Sequence, residues 1–249
     1  MSLSPERFFV AQALPLGRAI HEGDIDAVRR LAPVTDLRAR CNEGMTFAHY
    51  ALHEALACEP ERLAVLTALV AADPGCVQVA APDVGTVLEN ALGATTPAFL
   101  VALLDAGVSP RVTVGDTGTP ALLFAPRDAC IENLRALLDL GESVDARDLR
   151  GSTALIRALY ARQLDAAEYL LARGADPRAV DRAGVSFLYV LTSMAERAGD
   201  DDPLQPRMAA IASRYRWDGA PWPPDAPEVE RDRLRARGVT PIVPAGLAR

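Results

Sequence analysis

Residues 148–180 read DLRGSTALIRALYARQLDAAEYLLARGADPRAV. The stretch splits into two short apolar segments, ALIRALY and LDAAEYLLA, joined by a polar turn, and it reads as helix–turn–helix. Gly151 stands where a tight turn before the first helix needs φ > 0. Gly174 stands where the second helix ends in left-handed geometry. The pair Leu170-Leu171 sends one side chain to the facing helix and one toward a neighbouring unit. Outward from this stretch the glycines keep time. Gly85, Gly118, Gly151 and Gly184 are each 33 residues apart, Gly141 and Gly174 are 33 apart, and Gly107 is one residue off that register. Self-similarity at such a period is the mark of a stacked repeat.

Asp148, Gly151, Thr153, Leu155, Ala158, Leu170, Leu171, Gly174, Ala175 and Asp176 together resemble the ankyrin repeat, D-x-x-G-x-T-P-L-H-x-A followed by a helix ending L-L-x-x-G-A-D. Ala154 and Ile156 replace the Pro and His of that pattern. The unit at 115–147 carries Gly118, Thr119-Pro120, Leu122, Ala125, Leu137-Leu138 and Gly141, and its Thr-Pro pair suits a helix start. Residues 82–114 keep Gly85, Leu103-Leu104 and Gly107. Residues 41–81 hold Gly44 and T-F-A-H-Y-A at 46–51, with about eight extra residues near 58–75. A degenerate unit spans about 10–40, and a last one, 181–219, is interrupted at 199–203. The expectation is an all-α solenoid of six repeats. A Pro-rich cap or tail at 220–249 holds a short helix opened by a capping box at Asp225 and Glu228 and stopped at Gly238. Its alternating charges predict a solvated face rather than a nucleic-acid helix. Phe8, Phe9 and Val10 are expected to cover the first repeat, and the segment with Trp217 and Trp222 the last, because end repeats need covering.

Composition bounds the function. Half of the 249 residues are apolar and 5% are aromatic, which favours helices packed through Ala and Leu over a sheet core. All 26 basic residues are arginine, in keeping with a GC-rich genome. Net charge is −7, with 18 Arg against 28 acids in residues 1–202 and 8 against 5 thereafter. An acidic array argues against nucleic acid and suits steering of a basic partner. Cys41, Cys58, Cys76 and Cys130 form no C-x-x-C pair, so buried reduced thiols are expected; a Cys58–Cys76 bridge requires export. The apolar run at Phe8–Ala11 is too short for a secretory signal, and no run approaches a membrane span, so a cytoplasmic, membrane-free, monomeric protein is expected.

Chemistry-bearing motifs are sparse. No phosphate loop can exist without lysine, and no G-x-S-x-G or G-x-G-x-x-G occurs. His49 and His53 share a helix face and offer the alternative of a metal-dependent hydrolase, but H-Y-A-L-H-E misplaces the base of H-E-x-x-H. The resemblance gives a histidine at the His49 position a backbone hydrogen bond in the turn. Asp200-Asp201-Asp202 reads as a solvated insertion. No cofactor and no catalytic or metal site is expected.

The resemblance therefore implies a non-enzymatic module that binds another protein on a concave face of finger loops and inner helices. Finger positions are Asn42-Glu43, Asp83-Val84, Asp116-Thr117, Leu149-Arg150 and Arg182-Ala183, with Arg147 at a finger edge. Inner-helix positions are His53-Glu54, Arg127-Asp128, Tyr160 and Ser193-Met194. Arg147, Leu149, Arg150 and Tyr160 lead as anchors, since Tyr and Arg carry interface energy well. Some small bacterial ankyrin proteins are immunity proteins that neutralise a secreted toxin; a host-directed effector or an adaptor are the other roles in this class.

Overall fold

The computed structural model describes residues 4–56, 59–115, 118–125, 131–198, 201–215 and 224–242. The chain divides into two compact units, residues 1–115 and 116–249. The described residues are mainly short helices and turns.

In the first unit α1 (Pro5–Phe8) leads into three helix pairs: α2 (Leu14–Glu22) with α3 (Ile25–Leu31), α4 (Phe47–Glu54) with α5 (Pro60–Ala72), and α6 (Val87–Gly93) with α7 (Ala98–Asp105). Each helix is short, so each needs a cap. The Asp24 carboxylate accepts from the amide of Ala27 at 2.9 Å. The Thr46 hydroxyl accepts from His49 N. Thr86 and Glu89 form a reciprocal capping box, with bonds of 3.1 and 2.8 Å. The eight extra residues of the second pair go into its loop and into α5, which runs to 13 residues. Phe8 and Phe9 are buried. Phe9 stacks on Phe47 with ring centroids 4.5 Å apart. It lies so close to Gly17 that a Cβ there would be 2.3 Å from its ring. Val10, expected in the same cover, is instead 60% exposed because the chain turns outward after Phe9.

The second unit holds α8 (Ile131–Asp139), α9 (Ala154–Tyr160) with α10 (Leu164–Ala172), α11 (Phe187–Arg197) with α12 (Gln205–Tyr215), and α13 (Pro227–Ala236). Thr153 and Ser186 cap α9 and α11 through the amides of Ile156 and Tyr189. Thr119-Pro120 does not open an α-helix. The two residues are extended and lead into a single 3-10 turn, Ala121–Leu123. Pro126 follows closely in the sequence, and proline disfavours helix in the residue before it and withholds its own amide. Leu137, Leu138, Leu170 and Leu171 are all buried, each worth about 1.5–3 kcal/mol when fully withdrawn from water.

Two expectations for the end of the chain are corrected. Asp202 is no free insertion residue: it accepts from Leu204 N at 2.9 Å and pairs with Arg162 at 2.6 Å, which anchors the approach to α12. The short helix α13 starts at Ala226 without a side-chain cap, and Asp225 pairs with Arg233 instead, at 2.6 Å. The helix does present a solvated face, and one residue on its other side is covered. Arg231 is buried, donating to the Ala183 carbonyl at 3.0 Å and to Glu228 at 2.8 Å. The following segment donates from Ile242 N to the Arg182 carbonyl at 2.7 Å. Thus α13 and residues 239–242 lie on the last finger. Trp217, Trp222 and Asp200 fall outside the described residues.

Gly174→Ala and Gly184→Ala both place a side chain at positive φ, +88° and +82°, at a cost of about 1–2 kcal/mol each. At Gly174 the added Cβ meets nothing within 4 Å, whereas at Gly184 it falls 2.1 Å from the Pro227 carbonyl oxygen. Hydrogen exchange at the Ile242 amide should therefore accelerate in the Gly184 variant alone. Equal protection in both would show that α13 does not press on this finger.

Candidate functional site

The second unit's fingers begin with an aspartate that builds the turn. Asp148 Oδ1 accepts from the amides of Arg150 (2.8 Å) and Ser152 (2.9 Å), and Oδ2 accepts from Arg157 at 2.7 Å. Asp181 repeats the arrangement, accepting from Ala183 N (2.9 Å) and Val185 N (2.8 Å). Burial raises the Asp181 pKa and its amide bonds oppose that rise. The two fingers are tied together by backbone and by arginine. Arg182 N donates to the Arg150 carbonyl at 2.8 Å. Arg147 Nη1 bridges the carbonyls of Gly151 (2.8 Å) and Val180 (3.0 Å). Arg182 reaches Leu149 O at 3.2 Å and Thr240 O at 3.1 Å.

Of the anchors expected from sequence, Leu149 is 68% exposed and Tyr160 59%. Arg150 is exposed and its guanidinium has no partner among the described residues. The Tyr160 hydroxyl is the sheltered end of that ring: burial raises its pKa, and Asp181 and Tyr189 lie close enough to add to the rise. Arg147 and Arg182 prove to be braces as well as surface, which sequence reasoning missed because their carbonyl partners sit up to 58 residues away.

The expected residues of the first unit are more committed. Glu43 is held by Arg7 in a two-pronged ion pair of 2.8 and 2.9 Å. Glu54 is buried, with His21 Nδ1 3.5 Å and His53 Nδ1 3.7 Å from its carboxylate oxygens, and Tyr50 Oη lies 3.1 Å from His21 Nδ1. His53 is two-thirds covered. Asp116, Thr117, Arg127 and Asp128 lie outside the described residues.

His49 is not poised for metal chemistry. Its Nε2 donates to the Gly85 carbonyl at 3.0 Å, so Nδ1 is the acceptor for the Thr46 hydroxyl at 2.8 Å. Both ring nitrogens are thereby engaged, Nε2 on the next finger and Nδ1 on the residue that caps its own helix. Among the described residues no group of three or more His, Cys, Asp or Glu could hold a metal ion. Cys76 is buried and its thiol is pushed up to about 12, chiefly by burial, so it is protonated and unreactive at neutral pH.

A family model described as Ankyrin repeats (3 copies) matches residues 90–181. The chain is 37% identical over 91 residues to the SH3 and multiple ankyrin repeat domains protein 2 of Homo sapiens, which is 36% of this chain and 5% of that protein. It is 30% identical over 185 residues to the B-cell lymphoma 3 protein homolog of Mus musculus, 70% of this chain and 40% of that protein. The chain therefore spans well under two thirds of these relatives. Among solved structures, the ankyrin repeat domain of Bcl-3, of the IkappaB protein family, superposes with a TM-score of 0.61 at 23% identity, covering 89% of this chain and 97% of that one. A second solved ankyrin repeat protein gives 0.57 at 19% identity, over 81% and 98%. At these identities the structural likeness bears on the fold alone.

The His49 bridge predicts a pH dependence. Burial lowers the His49 pKa below its ordinary 6.5, so the folded chain favours neutral imidazole. The stability this bridge supplies is complete above pH 6.5 and is lost as pH falls through the lowered value. His49→Gln should cost about 1–3 kcal/mol at pH 7.5 by orphaning Thr46 and Gly85, and the gap to wild type should narrow toward pH 5. Glu6 and Asp73, whose pKa values are lowered mainly by hydrogen bonds, lose their contribution only at more acid pH. A gap that stays constant from pH 7.5 to 5 in denaturant titrations would show that His49 is not held neutral.

Proposed function

Because the chain is an ankyrin-repeat protein, we propose that it works as a non-enzymatic module whose partner protein rests on the fingers and inner helices of its repeats. The observation that carries this is the contrast within the second unit. Its buried carboxylates are consumed in turns and ion pairs, while Leu149, Arg150 and Tyr160 on the finger and inner helix are left for solvent. An exposed leucine, tyrosine and arginine in one neighbourhood have the composition of an interface anchor, and they serve no purpose in the fold that the surrounding contacts reveal.

On the same reading the two histidines of α4 serve the fold. His49 joins repeats, and His53 faces a buried Glu54. In its finer form the reading places the protein in the cytoplasm of a GC-rich bacterium, where its lysine-free composition is at home. There it would act as an immunity protein that blocks a secreted toxin, with a host-directed effector or adaptor as the other roles for the same surface.

The test is photo-crosslinking from an unnatural benzoyl-phenylalanine placed at Tyr160 or at Leu140. Leu140 is 53% exposed but follows α8, so it controls for mere apolar stickiness. Crosslinks to a partner should form from position 160 and not from 140. A Leu149→Ala/Tyr160→Ala variant should bind that partner about 10–100-fold more weakly. Equal crosslinking from both positions would defeat the assignment.

A further inference from the structure

Although the chain is acidic overall, the finger pair of the second unit is not. Arg147, Arg150, Arg157 and Arg182 gather on it, opposed by two carboxylates, Asp148 and Asp181. Both carboxylates are turned inward. The Asp148 side chain is 5% exposed and Asp181 is 8% exposed. Asp148 is further spent on Arg157. What reaches solvent is therefore cationic. Several arginines elsewhere in the chain stand opposite carboxylates, as Arg38 does with Asp73 at 2.6 Å and Arg162 with Asp202 at 2.6 Å. Among the described residues the Arg147 and Arg182 side chains bond backbone carbonyls instead, which fix the guanidinium without cancelling its charge. The Arg150 guanidinium bonds nothing among the described residues.

The bonding leaves donors to spare. Arg147 uses Nη1 for both of its carbonyls, so Nη2 and Nε remain. Arg182 uses Nε and Nη1, so Nη2 remains. A guanidinium carries five N–H donors in a fixed plane that matches a carboxylate. Because packing already holds two of these planes, little conformational entropy is lost when an anion arrives. Leu149, exposed at the tip between Arg147 and Arg150, adds an apolar contact to the same patch.

We infer that the second unit's finger pair recognises an acidic segment of its partner, with carboxylates on Arg147, Arg150 and Arg182 and an apolar side chain against Leu149. This rests on the binding reading above and gives it a ligand chemistry opposite to the one that net charge suggests. A protein carboxylate is favoured over a nucleic-acid backbone because the patch is a few residues wide in a chain of net charge −7, which repels a long polyanion.

The experiment measures fluorescence anisotropy of the full chain with three labelled probes: a short peptide of alternating glutamate and leucine, its lysine-for-glutamate counterpart, and a single-stranded oligonucleotide of similar length. The glutamate peptide should bind, weaken as salt rises, and lose about tenfold or more with Arg150→Glu. The Arg150 side chain is exposed and unbonded among the described residues, so its reversal leaves the fold intact. Arg30→Glu makes the same charge change on an exposed arginine of α3 in the first unit and should have little effect. Equal losses from the two reversals, preference for the lysine peptide, or tighter Arg150-dependent binding of the oligonucleotide would each overturn the proposal. So would no binding of the glutamate peptide. If crosslinking from position 160 still captures a partner in that event, the binding surface stands and only its acidic ligand falls.

Discussion

The register between neighbouring repeats is held by donors that reach across to a finger carbonyl. His49 Nε2 reaches Gly85 O, Arg147 reaches Val180 O, and Arg182 N reaches Arg150 O. Helices of seven to nine residues, such as α6, α9 and α10, are too short to persist alone, so packing between neighbours must fix their positions. Apolar stacking supplies most of the energy, but it is tolerant of sliding. A hydrogen bond to one named carbonyl is not. Losing one leaves a part-buried polar group unpaired, which makes a slipped register costly. The same device covers the finger at Arg182. Where a further repeat would offer its finger amide to Arg182 O, Ile242 N takes that place, with Arg231 on Ala183 O beside it.

Much of this is written locally and can be read locally. The 33-residue glycine period, the paired leucines and the hydroxyl residues just past each finger glycine are short-range signals. Thr46, Thr86, Thr153 and Ser186 do cap the helices that follow them. What escapes sequence reading is what depends on stacking. Arg147 and Arg182 look like ordinary surface arginines until the next finger is in place. Arg231 sits in a helix of alternating charge and nonetheless is buried, because a finger carbonyl awaits it. Arg162 takes φ +57°, a left-handed turn that glycine fills between α2 and α3 at Gly23, and nothing in the local pattern marks the substitution. The regular helix expected after Thr119-Pro120 fails for a local reason, the nearby Pro126, which the repeat pattern masked.

Surface residues are legible only by position. Alignment to a repeat says which side chains stand on a finger, and it correctly singles out Leu149 and Tyr160 as exposed. It does not say which are already spoken for. Glu43 occupies a finger position equivalent in kind to Arg150, yet it is held by Arg7, a residue that belongs to no repeat. Exposure and commitment are separate properties, and only the second needs coordinates.

The way a finger is built also determines the charge it presents. In all four described fingers the first residue donates its amide to a carbonyl four residues on: Cys41 to Met45, Ala81 to Gly85, Asp148 to Ser152 and Asp181 to Val185. Where that first residue is aspartate, its carboxylate turns inward to the finger amides and is lost to the surface, so cations on the finger go uncompensated. Where it is Cys41 or Ala81, no such carboxylate exists, and the tip instead carries Glu43 or Asp83, both in left-handed conformation at φ +62° and +60°. Net charge therefore misleads about the surface of these fingers. Two of the acids counted in it are folding elements of the second unit's fingers, and the field there is set by the arginines they leave behind.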